Sequence, residues 1–561
     1  VPEGRAGATG QNSCRVTASA ALASIRKTAK AHATFALKTK QVRVKILLRY
    51  ISGLAVLLAL GVPAAAARDI SENDLRSHME ILASDAFGGR APGTIGEDRT
   101  IEYLKLQWMR AGIKPAAINE ANAIDWFQHV PLERYEPVSR RVSFHKGRRQ
   151  LRFSNSDIVL VGADAQYDRS NVPLIFVGSG LDGDGNVVRG VKGRAALMLE
   201  TAAADAPDAL LPISARMQAL ADAGAEAVIL VADIGTWRPA MRHFRKSATV
   251  LSSVANRAPV QGVVSTEFAV GLVASSFQDW DSIRSSAYDH DFAGRPLGIT
   301  GNFEVKSRIE RFNSHNVVGK LSGRKPGSGA IVYMAHWDHF GVCGQPGDVD
   351  RICNGAVDNA SGLAAQIEIA RHLGSRRHDR DIYFLATTAE ESGLLGAYHF
   401  ISDPVVPLDD ILLVLNLDTI AVAPRDAKVA IIGPDDAILR PVVKTLLRKQ
   451  GRRIDRSGDA QIFAQRQDGW AFAKQGVPAF MVGSAFGDID LLNAFLDDDY
   501  HGPDDELTDD TQLGGAAQDA TLHVWLGRHF ANTRKFRWAP IKAPNPAALS
   551  RAENAADAAG E

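Results

Sequence analysis

The sequence is poor in cysteine, with three in 561 residues, and one of them, Cys14, stands far from the others. A Cys-type zinc site needs two close pairs, so Cys343 and Cys353 alone exclude one. Net charge is missing too, since 64 Lys and Arg balance 64 Asp and Glu. That balance is an average: residues 1–67 hold ten basic residues and the single acid Glu3, which leaves 68–561 at −9. A body of that sign has no electrostatic footprint for nucleic acid, and no nucleic-acid partner is expected. Long apolar runs are also absent. The best candidate, Ile51 to Leu60, is too short and too rich in small residues to favour a spanning helix. There is no internal repeat. The string Asp182-Gly183-Asp184-Gly185-Asn186 starts like a calcium loop, but Val187 stands at the sixth position and Gly193 at the twelfth, so it is read as a turn.

What is present is an ordinary globular composition, 45% hydrophobic and 23% charged, enough for two or three domains at about 100–200 residues each. Arg43, Lys45 and Arg49 precede the apolar run, and Ala64 to Ala67 follow it, the pattern of a secretory signal peptide. No Met precedes Met79, so residues 1–41 are expected to lie upstream of the translation start and are given no fold. Export, periplasmic or secreted, predicts a disulfide between Cys343 and Cys353 and no stable membrane insertion after signal cleavage.

Helical patterning runs from Ile70 to Ala116, with Ser71 as a cap and Ile101, Leu104, Leu106 and Met109 as an apolar face. Residues 126–300 read as short strands around one helix, a small α/β domain. After Gly301 the runs Ala330 to Ala335, Asp381 to Thr387, Ile411 to Leu417, Val429 to Ile432 and Ala479 to Val482 alternate with helical segments. That rhythm predicts a doubly wound, mostly parallel sheet with helices on both faces. The Ala/Pro-rich residues 539–561 read as a mobile tail.

Acids and histidines fall where such a sheet places function, just beyond the carboxyl ends of strands. His336 and Asp338 follow the 330–335 run, Glu390 and Glu391 the 381–387 run, and Asp418 the 411–417 run. Asp358 precedes a helix, and His501 lies in a loop. Singly each has a bland explanation as a solvated or satisfied residue. Together they supply two imidazoles and three carboxylates with two acids to spare, the inventory of a two-metal hydrolytic site.

The strings Ala335-His336-Trp337-Asp338, Gly355 to Gly362, Glu390 to Gly396, Asn416-Leu417-Asp418 and Tyr500-His501-Gly502-Pro503 resemble, in order, family twenty-eight of the metallopeptidases, the co-catalytic zinc aminopeptidases. The resemblance implies a catalytic domain of 68–125 and 301–538, with 126–300 as an inserted protease-associated domain. It implies two zinc ions per chain, one held by His336 and Asp418, the other by Glu391 and His501, with Asp358 bridging. Glu390 would be the general base, and Asp338 the acid that accepts the second ring N–H of His336. Asp505 is a weaker candidate for the same supporting shell, and His339 is read as a loop or substrate-proximal residue. Gln467 departs from the family's usual Ser before Asp468, which leaves the adjoining pocket open. Peptide substrates follow, cleaved at the N-terminal bond. Carboxypeptidase action on acidic C-termini, cyclisation of N-terminal glutamine and a non-enzymatic receptor ectodomain stand as alternatives.

Overall fold

The reciprocal cap at Ser71 starts the first helix among the described residues, α1 (Glu72–Leu82): the Asp74 amide donates to the Ser71 hydroxyl, and the Ser71 amide donates to the Asp74 carboxylate. The computed structural model describes residues 68–537, except 120, 201–212, 234, 246, 254–257 and 346. The basic leader, its signal segment, Cys14 and the 539–561 tail lie outside the described residues. Helix α2 (Ile95–Arg110) starts at the Thr94 cap and buries Ile101, Leu104 and Trp108. The apolar face read from sequence is corrected here. Leu106 and Met109 are 45% and 53% exposed, because at 100° per residue they point away from the 101–104–108 stripe.

The strands follow as β1 (Phe127–Lys146), β2 (Ile158–Gly162), β3 (Gln166–Phe176), β4 (Ala195–Leu199), β5 (Ala227–Ala232), β6 (Val260–Ser265), β7 (Arg295–Leu321), β8 (Ala330–His336), β9 (Asp381–Thr387), β10 (Ile411–Asn416), β11 (Ala430–Ile432) and β12 (Ala479–Gly483). One sheet runs β11-β12-β10-β8-β9-β7-β3-β4-β5-β6-β2, and β1 pairs with β7. Strands β9, β8, β10 and β12 are mutually parallel, as are β3, β4, β5 and β6. The near-continuous apolar runs of these strands are what a sheet covered on both faces requires.

Alternate residues of β8 show the two faces. Ile331, Tyr333 and Ala335 join the core under α1, α2, α3 (Ser361–Gly374) and the long C-terminal helix Leu513–Phe530. Val332 and Met334 join the opposite core with Ala397, Phe400 and Phe472. A further core, built from β2 to β6 and their helices, gathers Phe144, Phe176, Leu230 and Phe268. Strand β7 serves both regions: Leu297, Ile299, Phe303 and Val305 enter this last core at period two, while Val317 enters the one beneath α2. The boundary expected at residue 300 therefore falls inside a 27-residue strand. Gly298 and Gly301 punctuate its sequence, and its solvent side is charged, so it does not read as one element. Among the described residues no helix is long and apolar enough to cross a membrane.

Trp108 lies fully buried against Trp126 and Phe384. Trp108→Ala is expected to cost about 3–5 kcal/mol of folding stability, and Met109→Ala within about 0.5 kcal/mol of nothing, as read by urea denaturation.

Candidate metal centre

Register brings the residues together. His336 is the last residue of β8 and pairs with Thr387, so Glu390 and Glu391 emerge three and four positions later at the same end. Met334 pairs with Asn416, so Asp418 arrives beside His336 two residues further along both strands. Asp358 occupies the irregular turn Ala356–Ala360 ahead of α3, entered through Gly355 at φ +56°. Asn359 ties that turn to the end of β10, donating to the Leu417 carbonyl and accepting from the Gly362 amide at 3.0 Å each. A Cβ on Gly362 would stand 2.2 Å from Asn359 Oδ1 and 2.3 Å from the Leu417 carbonyl oxygen, so only glycine fits there. His501 follows the helix Ile489–Asp498 at φ +61°, with the Tyr500 ring stacked on it at 3.6 Å.

All five expected ligands meet. His336 Nε2 lies 3.1 Å from Asp358 Oδ1 and 3.3 Å from Asp418 Oδ1. His501 Nε2 lies 3.4 Å from Asp358 Oδ2 and 3.0 Å from Glu391 Oε2. Asp358 thus stands between the two groups. Glu390 lines the same cavity as Asp358 and Asp418.

The donor set fits divalent cations. His336 Nδ1 lies 3.1 Å from the Asp338 carbonyl oxygen, which can only accept, so the ring proton belongs there and the Nε2 lone pair faces two carboxylates. A proton or a metal cation has to stand between such facing acceptors, and mixed imidazole and carboxylate donors suit a divalent transition metal. Burial points the same way. Together with Asp418, Asp468 and Glu391, and against the pull of His336, it pushes Glu390 well above the carboxylate range. It lifts Asp338 to about 8 and Asp468 to about 7. Burial opposes charge on His501, yet Asp358 and Glu391 raise it to about 9.

The supporting contacts differ from expectation at Asp338. Its main-chain carbonyl, not its carboxylate, takes the His336 proton; Oδ1 is 3.8 Å from Nδ1. The carboxylate instead accepts the Glu390 and Glu391 amides at 3.0 and 3.4 Å, because the turn after β9 folds back over it. Asp505 receives the Val357 and Asp358 amides at 2.8 and 3.0 Å and so holds the central ligand from behind. His339 is buried, with Nδ1 2.6 Å from Glu391 Oε1, which makes it a prop for that carboxylate. Gln467 donates to Ala464 and accepts from Asn416 and Gly469, a structural use of the departing residue.

Sequence reading missed Arg90. Its fully buried guanidinium donates to the carbonyls of Leu82, Trp337, Asn354 and Gly355 at 2.5–3.0 Å. Burial lowers it to about 10, while Asp505, Asp358, Asp338 and Glu391 hold its charge. Its signal was only an Arg after two glycines in a turn. Gly89, at φ +64°, leaves no room for a Cβ, which would lie 2.5 Å from the Cys353 carbonyl oxygen. Cys353 is bonded to Cys343 with Cα atoms 5.8 Å apart, and Cys343 Sγ lies 3.9 Å from the His501 carbonyl oxygen.

Residues 316–524 match the family model of peptidase family M28. That segment belongs to the family. Curated relatives of the M28 segment include aminopeptidase YwaD of Bacillus subtilis, 38% identical over 18% of this chain and 21% of its own length. Aminopeptidase NAALADL1 of Rattus norvegicus is 33% identical over 19% of this chain and 13% of itself. The alkaline phosphatase isozyme conversion protein of Escherichia coli is 33% identical over 26% and 44%. The chain thus spans less than half the length of each of these three. A solved aminopeptidase from Aneurinibacillus sp. strain AM-1 aligns over 85% of this chain and 98% of its own, at 16% identity and a TM-score of 0.51, a likeness of fold.

Arg90→Ala strands four buried carbonyls and is expected to lower stability by about 3 kcal/mol or more in thermal or chemical denaturation. Asp505→Asn places an amide N–H against a backbone N–H and is expected to weaken metal affinity about 10–100-fold in chelator competition, with little loss of fold.

Proposed function

We propose that this chain is an exported zinc aminopeptidase that hydrolyses the N-terminal peptide bond of peptides. The observation that carries the reading is the meeting of His336, Asp358, Glu391, Asp418 and His501 at the strand ends, with Glu390 in the same cavity. In this reading His336 and Asp418 would hold one zinc and Glu391 and His501 the other, with Asp358 shared between them. Bound zinc would supply Lewis acidity, making water easier to deprotonate and the scissile carbonyl more electrophilic. Glu390 takes the proton of the attacking water and passes it to the nitrogen of the leaving amine. Asp338 keeps Glu390 and Glu391 in place through their amides. The substrate's free amine is met by the carboxylates, and its side chain by Phe463, Met481, Phe486 and Leu492 in the cavity wall. Residues 126–300, with their separate core, are read as a protease-associated insertion that positions or gates peptides.

One residue favours a second reading. Arg466 lines the same cavity, stacked 5.4 Å above Phe463, and an Arg there suits a substrate carboxylate, as in carboxypeptidase action on acidic C-termini. Release from unblocked aminoacyl chromogenic substrates, compared with N-blocked and C-terminal glutamyl peptides, separates the two. Cleavage of the blocked peptides alone would replace the aminopeptidase reading.

Metal analysis is expected to give two zinc ions per chain; one or none removes the bridged pair. Glu390→Gln is expected to retain both ions and to lose about 100- to 10,000-fold in kcat. Unchanged turnover in that variant would remove Glu390 as the base.

A further inference from the structure

Segment 428–457 carries eight basic residues against three acids, a local charge of +5 in a body at −9. The fold gathers them. Helix α4 (Arg440–Leu447) sets Arg440 and Lys444 one turn apart, and Arg448 follows at the same spacing. The chain then reverses at Gly451, φ +71°, and returns Arg452, Arg453 and Arg456 to the same place. With Lys428 these residues line one open cavity of about 890 Å³, which shares no residue with the cavity of the metal centre. That volume lies in the range of small-molecule sites.

The acids nearby do not neutralise it. Arg440 pairs with Asp436, Arg452 Nη1 donates to Asp519 at 2.8 Å, and Lys428 stands 3.6 Å from Asp455. Asp455 is otherwise taken by the amide and hydroxyl of Ser457. Among the described residues no acid pairs with Lys444, Arg448, Arg453 or Arg456, all of them exposed. Arg452 is the second, independent sign. It is 4% exposed, lines the cavity, and its Nη2 has no hydrogen-bond partner. A buried donor left unpaired is costly, and like charges four residues apart oppose the helix they sit on. An anion in the cavity offsets that repulsion directly. Guanidinium groups match phosphate oxygens two at a time, and several cations in one cavity match several phosphates rather than one.

We propose that this cavity binds a ligand with two or more closely spaced phosphate groups, apart from the metal centre. The phosphates come from a free polyphosphate-type ligand or from phospholipid headgroups, and the test has an arm for each. Calorimetric titration of the zinc-loaded full chain with sodium tripolyphosphate is expected to show saturable binding, about tenfold or more tighter than sulfate. The combined variant Arg448→Gln/Arg453→Gln/Arg456→Gln is expected to lose at least about tenfold of that affinity. Phosphate held by the metal centre contributes equally to both proteins, because the three positions lie outside that cluster. Sedimentation with phosphatidylglycerol vesicles, against phosphatidylcholine, forms the second arm. Capture that the variant loses assigns headgroups; tripolyphosphate binding without capture assigns a free ligand. Binding equal in the two proteins, or none in either arm, overturns the proposal. Aminoacyl chromogen release should be unchanged in the variant, and the phosphate readouts stand even if neither protein releases chromogen.

Discussion

The structure is organised around an excess of negative charge in a place that water hardly reaches. Asp338, Asp358, Asp418 and Asp468 are buried, Glu390 and Glu391 stand among them, and Asp505 lies directly behind. A buried carboxylate without compensation costs several kcal/mol, so such a group persists only with matching positive charge or hydrogen bonds. Part of the compensation is built in: amides of Val357, Asp358, Glu390 and Glu391 point at Asp505 and Asp338, and Arg90 sits beneath them. The rest is a demand for cations at the point where two imidazoles and three carboxylates converge.

The parallel sheet is the means of meeting that demand. Strand ends at one edge lie side by side, so ligands separated by tens of residues in sequence stand within about 3 Å in space. Their precision comes from connections that are short and locked. Asn359 bonds the turn of one ligand to the strand end of another, Gly362 lets helix α3 close on both, and Arg90 laces the loops after β8 and before α3 to the N-terminal helices. Residues 68–125 are thus part of the site, although they supply no ligand.

The strands and the ligand residues were legible because each carries its own local signal: an apolar run, then an acid or a histidine. Asp381 to Thr387 is read and found with the same bounds. What was not legible depends on partners distant in sequence. Arg90, 247 residues from Trp337, has no signal until the fold closes around it, and the use of His339 as a prop for Glu391 needs the fold as well. Asp338 was read with the correct neighbour and the wrong atom, since a carbonyl and a carboxylate of one residue are not distinguishable by spacing. Strand β7 was divided at Gly301 because glycine and charge mask a strand whose buried side alternates. The basic cavity vanished in a charge average taken over the whole body.

That strand has a consequence for how the molecule can be rearranged. A domain joined by two linkers can be removed and leave its host intact, but β7 gives one half to each core and is covered along most of its length by β1. Excision of residues 126–300 would take β1 away and leave the stretch from Gly301 to Asn316 as a bare edge, with its ladder groups free to recruit another chain. Shortening this protein to its ligand-bearing half would trade a covered strand for a template for aggregation. Recombination between relatives would be tolerated at the helical connections and penalised inside the shared strand.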